Sequence, residues 1–133
     1  MSLLTRLLAP RIIAEAHCDL PCGVYDPAQA RIEAQSVKAC IEKYLASDDE
    51  QFKTRAVLIK EERADLVKHH LWVLWTDYFK PEHLDGHPGL HDLFWQATKA
   101  AGASKKSLDP NDAQKTIDLI DQIADVFAAT KKQ

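Results

Sequence analysis

Apolar residues recur at intervals of three and four along four stretches of the chain, the spacing that places side chains on one face of an α-helix. The first two predicted faces are Ala30, Glu33, Val37, Cys40 and Tyr44, then Phe52, Ala56, Ile59, Arg63, Leu66, His70 and Val73. The last two are Leu90, Leu93, Phe94, Ala97 and Ala101, then Ala113, Ile117, Ile120, Ala124 and Phe127. No stretch shows the alternation of a strand, so the pattern predicts an all-α fold.

Capping residues set the predicted ends of these helices, because Asp, Ser and Pro favour a first turn and Gly favours a stop. The predicted starts are Asp26–Pro27, Ser47, Pro88 and Asp109–Pro110, and the predicted ends include about Phe79 for the second helix and Gly102 for the third. Residues 103–108 are then a polar linker. Four helices with short connections predict an up-down-up-down antiparallel four-helix bundle over residues 26–133.

Two predicted inward faces carry a charge. Glu33 lies among the apolar residues of the first helix, and Arg63 lies among those of the second. A lone inward charge is costly, and an ion pair between these two residues would offset that cost. The sequence therefore predicts a Glu33–Arg63 ion pair between the two helices. The simplest interpretation of this pair is that it only connects the first helix to the second.

The composition is that of a single domain of 133 residues, 46% hydrophobic and 28% charged. A formal net charge of −3 with no run of basic residues argues against a nucleic-acid partner. No stretch approaches the roughly 18 apolar residues of a membrane span. Three cysteines are too few for a disulfide framework, and Cys40 is expected to be a small buried hydrophobe.

An irregular segment precedes the first helix. From His17 to Pro27 the sequence is His-Cys-Asp-Leu-Pro-Cys-Gly-Val-Tyr-Asp-Pro, in which Pro21 and Gly23 bend the backbone. A turn that brings Cys18 and Cys22 together would place two thiolates on one metal ion. A disulfide or two idle thiols are the alternatives for this spacing taken alone.

At every position from His17 to Pro27 the segment resembles the nickel hook of nickel-containing superoxide dismutases, and the resemblance covers nearly all of residues 17–133. It implies residues 17–25 as the hook and one nickel ion per subunit. The implied ligands are the amine and imidazole of His17, the amide and thiolate of Cys18, and the thiolate of Cys22. The implied activity is conversion of superoxide to dioxygen and hydrogen peroxide by Ni(II)/Ni(III) cycling, and Pro21 is implied to be cis.

The ligand set requires a free amine at His17, yet in the full chain this nitrogen belongs to a planar amide. The resemblance therefore implies cleavage between Ala16 and His17, with residues 1–16 as a removable leader and a maturation protease as a partner. Ala14-Glu15-Ala16 has the small residues of a cleavage site. The mature protein is expected in the cytoplasm, with export as the weaker alternative.

Further residues acquire roles only through the resemblance. It implies that Tyr25 and Tyr78 position small molecules in the active site and that Lys80 attracts the superoxide anion. It also implies assembly into a homohexamer.

The resemblance gives the two inward charges a second interpretation. It implies that Glu33 and Arg63 support the imidazole of His17 and that Asp19 supports the hook by hydrogen bonds.

Two other functions fit the residues: a non-enzymatic nickel- or zinc-binding helical bundle, and an interaction module with paired thiols. A second metal site at His83, His87 and His91 is rejected. Gly86, Pro88 and Gly89 interrupt the helix that would align these imidazoles.

Overall fold

The structure is a computed structural model that describes residues 23–131. In that range the helices are α1 Ala28–Leu45, α2 Glu50–Val73, α3 Pro81–Gly86, α4 Leu90–Lys106 and α5 Pro110–Lys131, and a π-helical turn Leu74–Tyr78 continues α2. None of these residues forms a strand, so the all-α prediction is confirmed. No described helix is long and apolar enough to cross a membrane.

The four long helices enclose the core. Each packs extensively on two others, in the pairs α1–α2, α2–α4, α4–α5 and α5–α1. The largest fully buried apolar side chains are Val37, Ile41, Val67, Leu71, Leu90, Ile120 and Ile123. α3 is a short helix without a buried residue, and the helical pattern did not predict it.

Two of the predicted helix starts are confirmed by their hydrogen bonds. The Asp26 carboxylate accepts from the amide of Ala28 at 2.9 Å, and the Asp109 carboxylate accepts from Asn111 at 2.9 Å. The start of α2 differs from the prediction. Asp49, not Ser47, caps it and accepts from the amides of Gln51 and Phe52, because it is the extended residue directly before the first turn.

The predicted face of α2 is wrong by about one position. Phe52 and Ile59 are 40% and 38% exposed, and the buried residues are Ala56, Lys60, Ala64, Val67 and Leu71. Small alanines let α1 approach closely. The ammonium group of Lys60 is accommodated because it donates a 2.7 Å hydrogen bond to the carbonyl of Ser107, and burial lowers its pKa.

The predicted end of the third long helix at Gly102 is also wrong. α4 continues through this glycine to Lys106, which shortens the linker to residues 107–109. A β-carbon at Gly102 would lie 3.1 Å from Nζ of Lys68, and Ala101 and Ser104 beside it are buried. The lysine tip is flexible and could move, so this contact does not require a glycine; the buried residues on either side continue the helix, and tertiary contacts override the tendency of glycine to end it.

Cys40 is half-buried, not fully buried as predicted, and carries a free thiol. Burial raises the pKa of this thiol, and the positive charges of Arg63, Lys43 and Lys60 oppose the rise. A thiol with a raised pKa is a poor nucleophile, so Cys40 acts as part of the packing.

Candidate active site

A cleft of about 370 Å³ opens at one end of the helices. It is lined by Gly23, Tyr25, Asp77, Tyr78, Lys80, His83 and Lys131. These residues come from four places: the segment before α1, the π-helical turn, α3 with the residue before it, and the last turn of α5. The structure therefore brings Tyr25, Tyr78 and Lys80, three predicted site residues, into one cleft.

The π-helical turn places Tyr78 in this cleft. The amide of Phe79 donates to the carbonyl of Leu74 at 3.0 Å, a bond that spans one residue more than in an α-helix. The chain then becomes extended at Phe79, and α3 begins at Pro81. The Tyr78 ring is consequently enclosed by other rings, with centroid distances of 4.5 Å to Phe127 and 5.7 Å to Tyr25.

The Tyr78 hydroxyl has a defined partner on α5. Its oxygen lies 2.6 Å from Oγ1 of Thr130, and the Thr130 hydroxyl lies 2.6 Å from the carbonyl oxygen of Phe127. A carbonyl can only accept, so Thr130 donates its single hydrogen to Phe127. It follows that Tyr78 donates its own hydrogen to Thr130.

Tyr25 reaches the cleft from the other side. The four residues 23–26 are not helical, and Gly23 has a φ of 71°, a conformation that favours glycine. Pro27 is buried at the start of α1, which fixes the direction in which the segment leaves the helices. Tyr25 is half-buried and packs against the main apolar core.

The cleft that holds the two phenols also contains basic residues. Lys80 and Lys131 both line the cleft, and Nζ of Lys131 lies 5.1 Å from the Tyr78 ring centroid. The amide of Lys80 donates to Nδ1 of His83 at 3.1 Å, which holds that imidazole at the start of α3. Asp77 is the acidic residue among those that line the cleft.

Sequence reasoning missed Thr130, Lys131 and His83. Thr130 and Lys131 lie in the last turn of α5, where a polar residue followed by a lysine is ordinary, and Tyr78 is 52 residues away from Thr130 in sequence. His83 was considered only as a metal ligand. The packing of α5 against the π-helical turn brings Lys131 into the cleft and Thr130 to the Tyr78 hydroxyl, and α3 brings His83 into the cleft.

The predicted ion pair between α1 and α2 is present. Nη1 of Arg63 lies 3.2 Å from both carboxylate oxygens of Glu33. The Glu33 side chain is 16% exposed and that of Arg63 is 36% exposed, so the pair is partly shielded from solvent. Neither residue lines the cleft. The predicted contact between Glu33 and Arg63 is confirmed. That the two residues support the imidazole of His17 remains a prediction.

The predicted nickel ligands His17, Cys18 and Cys22 lie outside the described residues, as do Ala16, Asp19 and Pro21. Residues 23–131 contain no group of three or more His, Cys, Asp or Glu that could hold a metal ion. The donor set of residues 17–22 fits nickel chemically, since amine, amide and thiolate donors suit a tetragonal nickel site. Cys22 directly precedes Gly23, which lines the cleft.

Comparisons with known proteins agree with this interpretation. The family model described as nickel-containing superoxide dismutase matches residues 12–131. The nickel superoxide dismutases of Streptomyces seoulensis and Streptomyces coelicolor are 59% and 58% identical over 130 residues, which covers 98% of this chain and 99% of each relative. A crystal structure of nickel-containing superoxide dismutase after partial X-ray-induced reduction superposes with a TM-score of 0.86 at 61% identity, covering 88% of this chain and all of that one.

Proposed function

The chain belongs to the family of nickel-containing superoxide dismutases, and we propose that His17, Cys18 and Cys22 hold its nickel ion after cleavage of the Ala16–His17 bond. The protein is an oxidoreductase that converts superoxide to dioxygen and hydrogen peroxide with nickel as cofactor. The observation that carries the proposal is the cleft. Two tyrosines and two lysines line it together with Gly23, the residue that directly follows Cys22 in the sequence.

Substitutions in solved relatives support cleavage directly before His17. Variants have been solved in which the first residue, a histidine, the third, an aspartate, or the ninth, a tyrosine, is replaced. In this chain a histidine is followed at these spacings by an aspartate and a tyrosine only at His17, Asp19 and Tyr25. The mature chain would then begin at His17, as the amine ligand requires.

The bound nickel ion supplies the one-electron redox chemistry of both half-reactions. The side chains of the chain attract the superoxide anion and keep the site in its active arrangement. Lys80 and Lys131 draw the anion toward the cleft. Tyr25 and Tyr78 exclude bulk water from its wall and present hydroxyl groups to small molecules. Asp19, Glu33 and Arg63 keep the hook and the His17 imidazole in place.

Three broader features belong to the same proposal. The four long helices run up-down-up-down around the core, consistent with the short connections at residues 46–49 and 107–109. Six copies assemble, and the exposed indoles of Trp72 and Trp95 are available for contacts between them. The mature enzyme works in the cytoplasm.

The test is mass spectrometry and electron paramagnetic resonance on protein matured with nickel. A mass that corresponds to residues 17–133, together with a Ni(III) signal that carries axial nitrogen coupling, is the expected result. A fully active chain of 133 residues would contradict the proposed cleavage. Nickel bound without any redox signal would favour the non-enzymatic metal-binding bundle.

We expect Glu33→Ala to lower the dismutase rate by about tenfold while nickel stays bound, because partners of metal-ligating imidazoles typically matter to this degree. Rate and nickel content are both measured on the matured protein. Asp121→Ala is the matched control, since Asp121 forms another interhelical ion pair, 2.7 Å from Arg31 on α1. If both variants lose thermal stability alike and keep the wild-type rate, Glu33 and Arg63 are only a structural tie.

Removing the two ammonium groups of the cleft should slow capture of superoxide. We expect Lys80→Gln and Lys131→Gln each to lower kcat/KM by about threefold at low ionic strength, and the effect should shrink as salt screens the charges. Lys99→Gln removes an equal charge beside Trp95, away from the cleft, and is the control. Equal losses in all three variants would mean that net charge, not these positions, governs capture.

A further inference from the structure

We infer that Thr130 is a positioning residue that makes the Tyr78 phenol a hydrogen-bond acceptor toward the cleft. The inference rests on the proposed role of Tyr78 in the active site and extends it to a residue on α5. Thr130 itself does not line the cleft and is 8% exposed, so it acts through Tyr78.

The assignment follows from the number of hydrogens available. The Thr130 hydroxyl has one hydrogen, and the 2.6 Å contact to the Phe127 carbonyl uses it. The 2.6 Å contact between Tyr78 and Thr130 must then use the phenol hydrogen. What remains on the Tyr78 oxygen is lone-pair density, so any hydrogen bond between this phenol and a molecule in the cleft must be donated by that molecule.

The surroundings fix this orientation. Phe127 packs on the Tyr78 ring with centroids 4.5 Å apart, and Nζ of Lys131 lies 5.1 Å from the same ring centroid. Phe79 packs edge-on at 5.0 Å, so the ring has little freedom to turn its hydroxyl elsewhere. The last turn of α5 thus supplies the ring contact, the hydroxyl acceptor and a charge together.

The chemical consequence concerns which species Tyr78 holds. An acceptor binds molecules that carry hydrogens, namely water and hydrogen peroxide, and it does not donate to the superoxide anion. In this arrangement the lysines attract the anion, and Tyr78 orients the protonated species on which the second half-reaction depends. Because Thr130 accepts the phenol hydrogen, Tyr78 orients only protonated molecules and leaves attraction of the anion to the lysines.

The test is Thr130→Val in the nickel-loaded enzyme, with azide as the small-anion probe. Valine has the shape of threonine but accepts no hydrogen bond, so the phenol hydrogen becomes available to an anion. We expect azide, followed by spectroscopic titration, to bind about threefold to tenfold more tightly, as a new charge-assisted hydrogen bond would give in a partly wet site. Thr130→Ser should restore the wild-type affinity.

A second readout does not depend on azide or on turnover. With tyrosine labelled at the ring carbon that bears oxygen, the NMR signal assigned by Tyr78→Phe should move in Thr130→Val and return in Thr130→Ser. Thr116→Val is the matched control, because Thr116 is 1% exposed on the same helix and its hydroxyl lies 3.2 Å from the carbonyl of Asp112. That variant should move neither readout.

The outcomes separate the inference from its premise. If Tyr78→Phe changes azide affinity while Thr130→Val leaves both affinity and the NMR signal at wild type, Thr130 does not position the phenol. If Tyr78→Phe itself changes neither azide affinity nor the dismutase rate, the proposed role of Tyr78 is wrong, and the inference about Thr130 that rests on it is wrong as well. If Thr116→Val acts like Thr130→Val, the effect reflects loss of packing on α5, and the inference is overturned.

Discussion

Serine in place of Cys18 or of Cys22 is expected to abolish both nickel binding and dismutase activity. A thiolate is a soft, strongly donating ligand, whereas a serine hydroxyl keeps its hydrogen near neutral pH and binds nickel weakly. Changes to residues that merely support a metal ligand lower activity by roughly 10- to 100-fold, so loss of a ligand itself should exceed that range. Nickel per chain and the rate of superoxide decay are the two measurements.

The third cysteine provides the control for this result. Cys40 lies half-buried on α1, outside the cleft, and carries a free thiol with a raised pKa. Cys40→Ser should therefore keep one nickel ion per subunit and the parental rate. If Cys18→Ser or Cys22→Ser keeps its nickel ion and the parental dismutase rate, the proposed ligand set is wrong.

A chain that begins at Ala16 should be inactive, whereas a chain that begins at His17 and is released in the same way should be active. The two proteins differ by one residue. In the longer one the nitrogen of His17 is an amide whose lone pair is delocalised into the peptide bond, and the free amine lies one residue away from the hook. We expect the dismutase rate to fall by more than about 100-fold, beyond the range for residues that only support a ligand.

Both chains are loaded with nickel, and nickel content, circular dichroism and rate are measured together. Identical circular dichroism would show that the extra residue leaves the helices intact. Equal rates in the two chains would refute the claim that a free amine at His17 is required, and the cleavage would then have another purpose.

The fold was predictable where local chemistry decides it. Asn111 and Thr116 lie in α5, which begins where Asp109 and Pro110 predict. The pairing of Glu33 with Arg63 was predicted because each of two helices carries one charge on its inward face. The α2 face was not predictable by periodicity, because its five buried residues include two alanines and a lysine that donates to a distant carbonyl. The end of α4 was misplaced at Gly102 for a related reason, since the burial of Ala101 and Ser104 beside it continues the helix to Lys106.

The residues of the site, like those of the fold, were only partly predictable from the sequence. Tyr25, Tyr78 and Lys80 were predicted through the family resemblance, and the structure brings them into one cleft. Thr130 and Lys131 gave no signal in the sequence. Their contribution depends on how the end of α5 meets the π-helical turn, which is a property of the packed helices and not of any local stretch.

The π-helical turn has a consequence for how this enzyme can change over evolution. The turn closed by the Phe79 amide and the Leu74 carbonyl holds one residue more than an α-helical turn, so deleting one residue between Leu74 and Tyr78 would remove one of the side chains that lead from α2 into the cleft. Insertions and deletions in this part of α2 are therefore far more harmful than substitutions. Homologues that keep the activity should hold the spacing from Leu74 to Lys80 constant even where the side chains between them vary.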